Sequence, residues 1–167
     1  MKCVDRYPII VTDQKSACET FWTKVCRLTV GFSSSWFVYL TAADGSASIA
    51  FMTPDHPSAP PGPEKFGGQG MCLELQVEDA GAALAELTAR GLNVEYPLTD
   101  EPFGQRRFGF RDPSGLWVDV VQQTQPREGW WDRYMVAGGA ADAAAGQRES
   151  ESGKGGIRTP DTRLTHV

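Results

Sequence analysis

A strand-to-helix entry occurs twice in this chain at one constant offset. Val11-Thr12-Asp13 recurs as Val77-Glu78-Asp79, and with no gap Ala17 falls on Ala83 and Phe21 on Leu87. This is an internal duplication, and the apolar runs around each copy read in the order β-α-β-β-β. One helix covers only one face of so small a sheet, so the other face stays open unless a second sheet meets it. Pairing two such modules makes a cleft. The predicted class is α+β: two tandem βαβββ modules forming a curved sheet with a concave cavity.

The first module spans residues 1–53. Tyr7 to Val11 is a short apolar, β-branched strand, and Thr12 and Asp13 are both good helix N-caps. From Gln14 to Val25, Ala17, Phe21 and Val25 recur at four-residue steps with Cys18 and Trp22 alongside, which predicts one apolar stripe on a helix. Leu28 to Phe32 reads as a strand, and Trp36–Leu40 and Ala47–Met52 as a hairpin closed by Ala43-Asp44-Gly45-Ser46. Residues 54–70 are crowded with proline and glycine and read as a connector that joins two units without belonging to either core.

The second module spans residues 71–125. Met71 to Val77 alternates strictly, with Met71, Leu73, Leu75 and Val77 on one face and Cys72, Glu74 and Gln76 on the other. Asp79 is set to cap a helix carrying Ala83, Leu84 and Leu87, and Gly91 stands where a helix end takes a left-handed residue. Leu92 to Tyr96 is predicted as the next strand. Phe103 to Gln123 then forms two antiparallel strands around Asp112-Pro113-Ser114-Gly115, where Pro113 presets φ for a turn. Asp119 interrupts the apolar second strand, between Trp117 and Val121 on its own pleat face. A carboxylate there must meet water or be paired, because an isolated buried charge is too costly.

Residues 126–137 hold Trp130, Trp131 and Tyr134 and read as an aromatic docking segment. Residues 138–167 lack periodic apolar positions and read as a disordered tail. A net charge of -5 argues against nucleic acid or an anionic membrane as partner. It suits a cationic small molecule. Cys3, Cys18, Cys26 and Cys72 lack ligand-pair spacing, so reduced thiols in the cytoplasm are expected. No apolar run approaches the roughly 20 residues that a spanning helix needs.

Three stretches, VTDQKSACETFW, QVEDAGAALAELTARG and FRDPSGLWVDVVQ, resemble the vicinal oxygen chelate superfamily of glyoxalases, bleomycin-resistance proteins and extradiol dioxygenases. The last stretch is the most specific of the three. The resemblance implies paired βαβββ modules, usually dimerised, with ligands in the sheet concavity. In metal-binding members His or Glu ligands stand on the first and last strand of each module. Those places fall here near Arg6, near Ser48 or Ile49, at Cys72 and at Asp119, a poor set for a cation that wants three or four imidazole or carboxylate donors. His56 in the connector and His166 in the tail are read as solvated loop residues. In the turn after the first helix, CRLTVGF puts Arg27 where the family usually has glycine.

Two readings of the polar face stay open. In one, Arg6, Trp36, Cys72, Glu74, Gln76, Phe103, Arg107, Trp117 and Asp119 line a pocket that grips a cationic or aromatic ligand. In the other, Arg6, Arg106 or Arg107 neutralises the acids in a structural ion-pair network. The function expected is a metal-free, homodimeric small-molecule-binding protein that needs no cofactor and sequesters a drug or metabolite. The alternatives are a metal-dependent lyase, isomerase or dioxygenase using Glu74, Asp119 and His56, and a structural dimer with a filled concavity.

Overall fold

The computed structural model describes residues 1–2, 5–45 and 47–136. Cys3, Ser46 and the predicted tail lie outside the described residues. The described residues up to Arg127 form one compact unit, and residues 128–136 belong to a second.

The first module runs β1 (Ile9–Val11), α1 (Lys15–Lys24), β2 (Thr29–Ser33), β3 (Phe37–Thr41) and β4 (Ser48–Met52). The second runs β5 (Cys72–Gln76), α2 (Ala80–Ala89), β6 (Tyr96–Glu101), β7 (Gln105–Arg111) and β8 (Trp117–Gln123). Their sheets have the same topology, β1-β4-β3-β2 and β5-β8-β7-β6, with the first strand parallel to the last and all other pairs antiparallel. The duplication seen in the sequence is therefore a duplication of architecture. No helix among the described residues is long and apolar enough to cross a membrane.

Several local expectations are corrected. The N-cap of α1 is Gln14 rather than Thr12 or Asp13; Thr12 Oγ1 instead accepts from the Gln14 N–H at 3.1 Å, just outside the helix. Cys18, Trp22 and Val25 form the buried stripe, whereas Ala17 is exposed, because the face turned inward is rotated by one residue. Residues 92–95 are not a strand. Leu92 N–H closes the end of α2 on Leu87 O and its side chain enters the core, so extension waits until Tyr96. The connector does join the core: Phe66 donates its N–H to Val11 O at 2.8 Å and packs on the apolar cluster. His56 is buried, with Nε2 2.8 Å from Gly62 O, and is not the solvated residue expected.

Asp79 caps α2 as expected, accepting from Ala82 N–H, and Gly91 takes φ +93. Arg27, which stands in the turn after α1, has φ 62. The backbone there is the one glycine adopts freely, and arginine holds it at a steric cost.

A single apolar cluster holds residues of both modules, among them Trp22, Leu40 and Phe51 with Phe108, Phe110 and Leu116. Polar links cross between the modules among the described residues. Trp22 Nε1 donates to Asp112 Oδ2 at 2.9 Å in a buried hydrogen bond, and Arg90 Nη1 donates to Val25 O at 3.1 Å. Asp112 Oδ1 meanwhile accepts from Ser114 N–H, Ser114 Oγ and Leu116 N–H, which locks the β7–β8 turn. The indole N–H is thus satisfied only while that turn is formed.

In the second unit, a short 3-10 helix at Trp131–Arg133 gathers its own aromatics. The Trp130 centroid lies 4.6 Å from that of Trp131 and 4.8 Å from that of Tyr134.

Asp112→Ala would leave several buried donors unpaired and is expected to cost about 3 kcal/mol in urea unfolding; a loss below about 1 kcal/mol would remove the turn from its central role. Arg27→Gly should raise stability by about 1 kcal/mol by relieving the positive φ, and a fall in the urea midpoint would refute that account.

Candidate functional site

Strand alternation divides the second sheet into two faces. On β7 and β8, Phe108, Phe110, Val118 and Val120 turn into the core. The opposite face is set by register: Cys72 stands beside Trp117, Glu74 beside Asp119, and Asp119 beside Gly109. Cys72, Glu74 and Gln76 are exposed there.

Asp119 is the centre of this face and is only 5% exposed. Its Oδ2 accepts from Arg107 Nη1 at 2.9 Å, its Oδ1 from Trp117 Nε1 at 2.8 Å, and the Cys72 thiol lies 3.6 Å from Oδ2. Arg107 turns its Nε to Glu101 Oε1 at 3.0 Å, and the same oxygen accepts from the Tyr96 hydroxyl at 2.8 Å. The rings of Tyr96 and Phe103 each lie with their centroid 5.4 Å from the guanidinium carbon. Burial opposes the charge of Arg107, but its hydrogen bond to Glu101 and the charges of Asp119 and Glu101 outweigh it and hold Arg107 above its ordinary pKa. At Cys72, burial and the neighbouring Asp119 raise the thiol pKa, which disfavours a nucleophilic thiolate.

Trp117 lies across Gly109. A Cβ on Gly109 would come within 2.4 Å of Trp117 Cζ2 and 2.9 Å of Asp119 Oδ1, so the absent side chain makes room for the indole. Arg111 covers the same ring with its guanidinium carbon 5.2 Å from the centroid.

Beside this face, at Glu74 and Gln76, opens a cleft of about 880 Å³. Arg6, Tyr7 and Pro8 form one wall, Leu73 to Gln76 the other, and Trp22, Leu28 and Ile49 contribute apolar surface. Glu74 accepts from Gln76 Nε2 at 3.3 Å and forms no ion pair among the described residues.

Of the residues singled out from sequence, Cys72, Glu74, Gln76, Phe103, Arg107, Trp117 and Asp119 come together on or beside the polar face, and Arg6 faces Glu74 and Gln76 across the cleft. Trp36 stands apart just before β3, 5.7 Å from Phe37 between ring centroids. Glu101 and Tyr96 were not singled out. Their signal was the pair of acids Asp100-Glu101 facing Arg106-Arg107 across a short turn, obscured by a register shift between Tyr96 and Thr99.

The places that the resemblance gives for metal ligands do not offer a ligand set. Ile49 is buried in the core, the Ser48 hydroxyl lies 2.9 Å from the Tyr39 hydroxyl, and both oxygens of Asp119 are occupied by Arg107 and Trp117. Among the described residues no three His, Cys, Asp or Glu side chains are grouped to hold a metal. A divalent metal does not fit this donor set.

Paired βαβββ modules with one helix each define an α+β protein of two tandem modules, here with an open polar sheet face and a side cleft. The Glyoxalase/Bleomycin resistance protein/Dioxygenase superfamily model matches residues 4–120, and the chain belongs to that superfamily. Among solved structures, it is similar to a glyoxalase/bleomycin resistance protein/dioxygenase from Nocardioides (18% identity, 77% of this chain and 87% of that one, TM-score 0.62). A superfamily member from Sphaerobacter thermophilus aligns at 24% identity over 74% of this chain and 99% of that one, with a TM-score of 0.57. The lactoylglutathione lyase of Agrobacterium tumefaciens aligns at 19% identity over 73% and 95%, with a TM-score of 0.59. These likenesses establish the fold. No curated protein matches the chain.

Gly109→Ala should push Trp117 off Asp119 and destabilise the protein by about 1–3 kcal/mol, with an altered near-ultraviolet circular dichroism spectrum. An unchanged spectrum and urea midpoint would mean that Trp117 is not held by this contact.

Proposed function

We propose that this protein is a metal-free binder of cationic, aromatic small molecules that sequesters its ligand rather than transforming it. The observation that carries the reading is the division of labour among the acids of the polar face. Asp119 and Glu101 share the Arg107 guanidinium, whereas Glu74 beside them forms no ion pair among the described residues, with Arg6 on the far wall of the cleft. The Arg107 network is a structural support, and Glu74 is the carboxylate left for a ligand.

A positive ligand at Glu74 lies next to the strand that carries Trp117, with the apolar surface of the cleft at hand for its rings. The cleft volume falls within the roughly 300–1,000 Å³ usual for small-molecule sites. Among the described residues no histidine lies on this face for acid–base work, and Asp119 is committed to its partners. The reading includes a homodimer, to which the exposed edge strand β2, with Val30 and Phe32 in solvent, offers a surface.

Calorimetric titration with proflavine, a cationic planar ring system, tests this against neutral acridine. Proflavine should bind the more tightly, Glu74→Gln should weaken it about tenfold, an effect in the range of a charge-assisted contact, and the recovered probe should be chemically unchanged. Equal affinity for the neutral ring, or a stoichiometric metal found by elemental analysis of untagged protein, would refute the reading.

A further inference from the structure

Four consecutive residues of β5, Leu73 to Gln76, line the cleft. Successive side chains of a strand point to opposite faces, so a cavity that touches all four touches the edge of the strand itself. β5 is the terminal strand of its sheet and pairs only with β8. Val77 N–H donates to Val121 O at 2.8 Å. In a parallel ladder alternate residues turn both main-chain groups to the same neighbour. Leu73 and Leu75 therefore face β8, while Cys72, Glu74 and Gln76 turn N–H and C=O toward the open edge, repeating every ~6.8 Å.

Along the opposite wall, residues 6–8, the main chain of Pro8 turns toward β4, and Tyr7 has the outward parity that Val11 shows further along. Pro8 has no N–H, and its carbonyl already accepts from Ala50 N–H at 2.9 Å. Further along, Val11 O is taken by Phe66. Of the two walls, β5 presents the longer edge to the cleft, with the outward groups of both Glu74 and Gln76 in a regular strand, against apolar surface from Trp22, Leu28 and Ile49.

We infer that the cleft recognises an extended, amide-bearing ligand with an apolar substituent, which adds to β5 as a short extra strand. Main-chain pairing supplies the affinity and the apolar wall selects the substituent. Unlike a purely apolar molecule, such a ligand satisfies the outward groups of Glu74 and Gln76 when it displaces their water. The inference rests on the binding-protein reading and adds to it the chemistry of the ligand body, separate from the charge that Glu74 takes.

The probe is the capped tripeptide acetyl-Leu-Leu-Leu-amide, compared with the analogue in which the internal amides are esters. The amide form should bind at least about tenfold more tightly, for the loss of one or two hydrogen bonds, and should slow hydrogen exchange at the Glu74 and Gln76 amides. Gln76→Pro removes one outward donor at a strand edge, where proline is tolerated, and should weaken the tripeptide about tenfold relative to Gln76→Ala. Equal binding of amide and ester, or unaltered exchange at those two amides, would overturn the inference even if the proline variant failed to fold. Failure of the tripeptide in protein that still binds proflavine would overturn this inference alone. Failure of both probes would overturn the binding-protein reading with it.

Discussion

The hydrogen bond from Trp22 Nε1 to Asp112 Oδ2 ties the molecule together. Trp22 is 1% exposed and Asp112 4%, so neither group can fall back on water, and each needs the other. Trp22 belongs to the first module's helix, Asp112 to the second module's hairpin turn. The same carboxylate that receives the indole also shapes the turn, which sets where β8 begins and hence on which face Asp119 emerges. A shift of one residue would send Asp119 into the core and Val118 to the polar face.

With that register set, the polar face follows from satisfying one buried charge. Asp119 is tolerated at its burial because guanidinium and indole donors meet its two oxygens. Arg107 in turn is held by Glu101 and bracketed by two aromatic rings. Every added partner restricts the next, and the network becomes a rigid plate. What remains adaptable lies at its margin, where Glu74, Gln76 and the free edge of β5 meet the cleft.

The architecture was legible in the sequence because it depends on periodicity. The alternation of Cys72 to Val77, the Asp79 cap, Gly91 and the Asp-Pro turn each act within a few residues, and each reappears in the fold, although Met71 is exposed just before the strand. Asp119 was also legible, since a carboxylate in an apolar strand demands a partner. The partners of that partner were not. Glu101 reaches Arg107 diagonally across β6 and β7, past a bulge that no local pattern announces. His56 and Phe66 were misplaced for a related reason: their burial depends on contacts closed by the folded connector, which composition alone describes only as proline and glycine rich.

The duplication explains why a common frame supports unlike surfaces. Core packing constrains one parity of each strand, the side chains that meet the helices and the other module, and leaves the opposite parity to the demands of the open face. On the first sheet that face carries Tyr39, with its hydroxyl between Ser48 and Asp5. On the second it carries the Asp119–Arg107–Glu101 network. Arg27 marks the same separation in the backbone: the turn after α1 is left-handed although the residue there is arginine and not glycine. The backbone form and the core parity belong to the fold, and the charged face of the second module is written by the residues of the other parity.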